Sequence, residues 1–281
     1  MNRRVFVLSL LFCSAGLLTA PPSLISQEVD SRVQLSREQQ EEFLRTAEII
    51  RIWELSEGIT NSHRATLTDG QLTHDAHIQM IDISRKEFKT LQGTELNFRD
   101  TYKHNIAAYL LDKALDLGMI PVSVERKVKG RTAALTWWVD DVLMTEKERM
   151  RRKIESPDAE QWNRQIYCVR VFDQLIYNTD RNLGNLVITK DWTVWMIDHT
   201  RAFRLYKTLR NPKNLVKIDR RLLAALRELT YETLATELQQ HLKEWEMEAL
   251  LARRDRIVEF FEKEIAEKGE KTVLYDYLSR R

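Results

Sequence analysis

The sequence predicts an α+β protein of two lobes, a small β-rich one over 55–140 and a larger helical one over 141–281. Three observations predict it. Between Arg64 and Val139, short alternating apolar runs are punctuated by Asp69-Gly70 and Lys129-Gly130, pairs that turn antiparallel hairpins. From Leu222 to Ala266, apolar residues recur at helical spacing without a single Gly or Pro. One further hairpin stands inside the helical half: Leu186–Thr189 and Trp192–Ile197, joined at Lys190-Asp191.

The elements follow in order. Residues 1–26 open with Arg3 and Arg4, run apolar from Val5 to Leu18, and close on Thr19-Ala20-Pro21. That pattern is a secretory signal peptide, or an anchor if it stays uncleaved. In 27–54, Phe43, Leu44, Ala47, Ile50 and Trp53 recur at steps of three to four, which predicts an amphipathic helix. A polar loop around Gly58 leads to a strand at Arg64–Thr68 and another at His74–Ile83, the arrangement of a phosphate-covering sheet. Phe98–Leu117 reads as a helix with Gly118 as its stop. Pro121–Val124 and Thr132–Val139 read as strands, and Trp162–Tyr177 as the helix that delivers the chain to NTDRNLGN.

Charge bears on one class of partner. The 281 residues hold 44 Lys and Arg against 42 Asp and Glu, and the excess is Arg3 and Arg4. The remainder is neutral, so the net charge gives no support for nucleic-acid binding. Beyond the leader, Cys168 is the one cysteine, which rules out an internal disulfide and predicts a small core residue.

The chemistry gathers in Phe172–Arg204. A hairpin brings its open ends together, so Asn185 and Asp198 should lie side by side, with Asp180 one short loop away. An amide oxygen and carboxylates at one point suit a hard cation carrying phosphate. Phosphoryl transfer requires a carboxylate at the acceptor hydroxyl and metal at the phosphates. Asp180 fits the first role, with Arg181 beside it to position it. Asn185 and Asp198 fit the second, with Mg²⁺ or Mn²⁺. Taken singly, Asp and Asn in loops are more often caps and Asx turns; the ordered set carries the inference. His199 is expected to hydrogen-bond the loop rather than act as a base, and His74 and His77 to form no zinc site; Trp138 reads as a core or lobe-interface anchor or, alternatively, as a contact to an adenine ring.

The stretch FDQLIYNTDRNLGNLVI…WMIDHTRAF resembles the catalytic and metal-binding segments of the protein-kinase-like fold. Its atypical branches are most similar: phosphatidylinositol 3-/4-kinase-like proteins and the secretory-pathway kinases of the Golgi casein-kinase family. Asn105 onward, NIAAYLLDKALDLGMIPVSV, is similar to the helix and strand of the family's first lobe. The resemblance implies a bilobal kinase-like fold, ATP with Mg²⁺ or Mn²⁺, Asp180 as the catalytic aspartate, and Asn185 and Asp198 at the metal. It implies a nucleotide-contacting lysine where this chain has Gln79, and a partner glutamate where it has Asn105. Both members of that ion pair are amides here, which is expected to be a matched replacement. Two functions follow: an atypical kinase acting on a protein or small-molecule hydroxyl, with Lys86, Lys89 or Arg64 replacing the lysine, or an exported pseudokinase that senses nucleotide. Export predicts a bacterial periplasmic or secreted protein, attached to the membrane only through an uncleaved leader.

Overall fold

The computed structural model describes residues 35–54, 62–90 and 93–277. The leader over 1–26 and the loop glycine Gly58 lie outside the described residues. Helix α1 spans Arg37–Thr46, opened by a capping box between Ser36 and Gln39. It buries Phe43 and Leu44. The helix expected across 27–54 ends there, because Glu48–Glu54 is strand β1. Ile49, Ile50, Ile52 and Trp53 fit helical spacing, but they are β-branched and aromatic, and pairing with β2, His63–Thr68, decides for a strand.

Strand β3, Thr73–Gln79, stops at Gln79 because that residue's Oε1 accepts the Met80 and Ile81 N–H groups, each at 3.0 Å. The strand expected to run on to Ile83 therefore breaks. Asp82–Thr90 and Gly93–Thr101 instead form a separate two-stranded hairpin, β4 and β5. Helix α2, Lys103–Ala114, starts five residues later than the periodicity from Phe98 predicts, since Phe98–Thr101 belong to β5. β6, Ser123–Val128, and β7, Arg131–Trp137, flank the Lys129-Gly130 turn, where both φ angles are positive.

These strands make one five-stranded antiparallel sheet in the order β1-β2-β3-β7-β6. Its register gives the two faces different chemistry. Ala65, Leu67, Ala76, Ile78 and Leu135 share one face and join the core with Phe43 and Leu44 of α1 and with Ala47 just past its end. Arg64, Thr66, Asp75, His77 and Gln79 alternate onto the other.

After β8, Val142–Thr145, come α3, Glu146–Arg152, and α4, Ala159–Leu175. The second hairpin is β9, Leu186–Thr189, with β10, Val194–Met196; β8 pairs on the far side of β9. β11, Ile218–Asp219, precedes α5, Arg220–Glu228, α6, Tyr231–Leu238, and the long α7, Glu244–Lys268. The chain beyond Arg204 is thus less uniformly helical than its periodicity predicts. The single helix expected over Tyr231–Met247 breaks between α6 and α7. Cys168 is fully buried in the core, 3.2 Å from the Tyr275 hydroxyl. Among the described residues no helix is long and apolar enough to cross a membrane.

Candidate active site

Helix α4 ends in a left-handed turn at Tyr177, φ 48°, which redirects the chain into Asn178–Asn185. There Asp180 takes its N–H to Asn178 Oδ1 at 2.9 Å, and its carbonyl receives Asn182 N–H and Asn185 Nδ2. The hairpin then performs as its spacing predicts. Ile197 N–H reaches Asn185 O at 3.1 Å, so Asn185 and Asp198 flank the open end of β9–β10. Asp198 is left-handed, φ 53°, a conformation that costs on the order of 1 kcal/mol and is tolerated best by Asp and Asn among side-chain-bearing residues. Its Oδ1 accepts the Thr200 hydroxyl at 3.1 Å.

Asp180 is half exposed, with Arg201 Nη1 3.9 Å from its Oδ2. Burial raises its pKa above the ordinary carboxylate value. Arg201 pulls the other way, while Asp198 and Asp100 push it further up. Three carboxylates thus share one field. Asp100, from the end of β5, is buried and salt-bridged to Arg201 Nε at 2.7 Å. Sequence reading missed both Asp100 and Arg201, because their pairing spans 101 residues. Among the described residues no three His, Cys, Asp or Glu side chains form a ready-made metal cage. The donors present are the Asn185 amide oxygen with the Asp198 and Asp180 carboxylates. That hard-oxygen set fits a divalent ion that takes its remaining ligands from phosphate and water.

Arg181 has a different role from the one its neighbour suggests. Nε binds the Asp173 carboxylate of α4 at 3.1 Å. Nη1 donates to Asn185 O at 3.0 Å and Ile197 O at 2.8 Å, and Nη2 to His199 Nε2 at 2.9 Å. The guanidinium clamps both hairpin ends to α4 rather than orienting the Asp180 carboxylate. Since arginine only donates, His199 Nε2 must accept, and the ring is neutral. Burial and the Arg181 charge both hold its pKa well below the ordinary histidine value. His199 is therefore a loop anchor, as the sequence predicts.

The two amides do not form a pair. Asn105 is buried on α2, and its Oδ1 accepts the His199 N–H at 2.6 Å. Gln79 directs its Oε1 to its own strand end and its Nε2 to Ser62 Oγ at 3.4 Å. Each amide meets a separate backbone need, which corrects the expectation of a mutual replacement. Lys86 and Lys89 project from the exposed β4 strand, while Arg64 is committed to Asp75 at 2.8 Å. Trp138 is half buried beneath Arg64, whose guanidinium carbon lies 4.2 Å from its ring centroid. His74 stacks on Trp137 at 3.7 Å, and His77 lies on the opposite sheet face, so the two cannot share a zinc ion. A cavity of about 390 Å³ lined by Glu95, Arg99, Phe203, Arg204, Tyr206 and Glu246 includes none of Asp180, Asn185 and Asp198 in its walls.

No family model matches the chain, and no curated protein matches it. Solved structures do. A hydra Fam20 protein with sugar aligns at TM-score 0.66 and 17% identity, covering 88% of this chain and 94% of its own. A Golgi casein kinase with Mn and ADP bound aligns at TM-score 0.63 and 12% identity, covering 87% and 80%. At these identities the likeness is one of fold: the chain has an atypical kinase-like α+β fold.

Proposed function

We propose that this chain is an atypical kinase-like protein that binds ATP with Mg²⁺ or Mn²⁺ at Asn185 and Asp198 and presents Asp180 to an acceptor hydroxyl. The observation that carries the reading is the side-by-side placement of Asn185 and Asp198 at the hairpin mouth, with the Asp180 carboxylate in the same field. The neighbour solved with Mn and ADP supports the choice of ligand. The metal ion, when bound, neutralises phosphate charge as transfer proceeds.

The protein's own groups then divide the work. A carboxylate with a raised pKa is a better proton acceptor, so burial suits Asp180 to take the proton of an incoming hydroxyl. Arg201, bridging Asp100 and Asp180, keeps Asp180 ionised before that step. Arg181 and His199 fix the hairpin ends and, through them, the separation of Asn185 and Asp198.

A second reading, a nucleotide-sensing pseudokinase, is favoured by Gln79. Its amide is bound to its own strand end, so that position offers the phosphates no cation. The leader over 1–26 supports export, where ATP is scarce, and adds weight to sensing. Thermal stability of the protein with ATP and Mg²⁺ or Mn²⁺, followed by a phosphate-transfer assay, separates the two. A metal-dependent rise with transfer supports the kinase, and a rise without transfer supports the sensor. No rise under any condition rejects both.

A further inference from the structure

A second polar cluster occupies the sheet face that carries His77 and Gln79. Arg64 Nε donates to Asp75 Oδ2 at 2.8 Å, and the Thr66 hydroxyl donates to Asp75 Oδ1 at 2.6 Å. The same guanidinium lies over two indoles, Trp138 at 4.2 Å and Trp53 at 5.5 Å. The Trp138 backbone N–H donates to Asp75 O at 3.1 Å, which ties the chain at the exit of β7 to β3. Trp53 pairs with Arg64, and Arg64 with His77, so all three share this face across β1, β2 and β3.

The cluster stands in a definite relation to Asp198. His77 is close enough to Asp198 for that charge to act on its imidazole. Asp75 lies two residues along the same face of β3, about 7 Å further on at the strand rise. With phosphates at Asp198, the sheet face of His77 and Asp75 is within a nucleotide's reach. A guanidinium is planar and delocalised and stacks on aromatic faces, as a purine does. Indoles are equally good platforms for a base.

We propose that the surface of Trp138 and Trp53 is the nucleobase slot, and that Arg64, held by Asp75, fills it in the resting chain and swings out when a purine stacks. This rests on the nucleotide reading above. Asp75 is the positioning residue of the device, since it anchors the guanidinium on the rings. Resting occupancy by Arg64 lowers the apparent affinity by the fraction of open slots. Minor states are commonly populated at roughly 0.1–10%, so emptying the slot should tighten binding about tenfold or more.

The test is calorimetric titration of the full chain, with Mn²⁺ present, by ATP and separately by inorganic tripolyphosphate, which lacks a base. Arg64→Ala is expected to tighten ATP about tenfold and leave tripolyphosphate unchanged. Arg64→Gln, which loses the stacking plane but stays polar, should change ATP in the same direction and serves if the alanine variant folds poorly. Trp138→Ala should weaken ATP alone. Unchanged or weaker ATP binding in both Arg64 variants overturns the gate and leaves the nucleotide reading standing, with a weaker result making Arg64 a base-holding residue. Absence of both ligands from the wild type and the Arg64 variants overturns the gate together with that reading.

Discussion

Asn105 Oδ1 accepts the backbone N–H of His199 at 2.6 Å, across 94 residues of sequence. One buried amide thus ties α2 to the residue beside Asp198. Asn105→Ala leaves that N–H unpartnered in a buried place and should cost about 1–3 kcal/mol. Asn105→Asp keeps the acceptor and should cost less. Urea unfolding of both variants checks the difference, and equal losses would count against this bond.

Gln79→Lys tests the other amide. Lysine has no acceptor for the Met80 and Ile81 N–H groups. The change puts a cation on the cleft face but should lower stability by about 1–3 kcal/mol. Because Gln79 and Asn105 serve separate partners, Gln79→Lys and Asn105→Glu together should show losses that add. A double variant more stable than the sum predicts would show that the two positions couple after all.

Arg181 and Asp173 have side chains only 11% and 15% exposed. Breaking a buried pair costs about 3–5 kcal/mol, and this partly wet one belongs at the low end. Arg181→Met should also free both hairpin ends. Amide exchange at Asn185 and Ile197 should then quicken well before global unfolding. Exchange unchanged at those two amides would remove the clamp from the description.

His199 gives stability a pH dependence. Its pKa in the folded protein lies well below the ordinary 6.5. The unfolded chain therefore takes up a proton first as pH falls. The stabilisation is complete above about 6.5 and is lost progressively below it, toward the folded value. The unfolding free energy should drop between about pH 7 and 5.5. In Arg181→Met, which no longer sets a cation against the ring, the drop should be smaller. A slope identical in both proteins would place the effect elsewhere.

Arg253 is fully buried on α7 and donates to Leu175 O, Arg204 O and Tyr206 O, at 2.7, 2.8 and 2.6 Å. Burial pulls its pKa down to about 9. It joins the end of α4 to the segment after Asp198. Arg253→Lys keeps the charge but cannot fork to three carbonyls. It should destabilise by about 2 kcal/mol or more, within the range for unsatisfied buried groups. A neutral outcome in thermal unfolding would mean that the three carbonyls find other donors.

The candidate site was legible in sequence where its geometry is local. Asp180, Asn185 and Asp198 fall within one loop and one hairpin, and the apolar run Leu186–Thr189, the Lys190-Asp191 turn and the alternation in Trp192–Ile197 mark the hairpin. Asp100 and Asn105 were not legible as site partners, because only tertiary packing brings them to Arg201 and His199. The β4 strand DISRKEFKT lacks apolar alternation, being largely exposed, so its hairpin gave no signal. β1 was misread because Ile50 and Trp53 suit both a helix period and a strand, and pairing with β2 settled it.

The most direct measurement is Mn²⁺ titration with ATP, read by electron paramagnetic resonance, in the wild type, Asn185→Ala and Asp198→Asn. The wild type should show protein-bound Mn²⁺ that depends on ATP. Asn185→Ala should weaken that signal, and Asp198→Asn should abolish it. Equal ATP-dependent Mn²⁺ binding in all three proteins would contradict a metal–nucleotide site at the mouth of the β9–β10 hairpin.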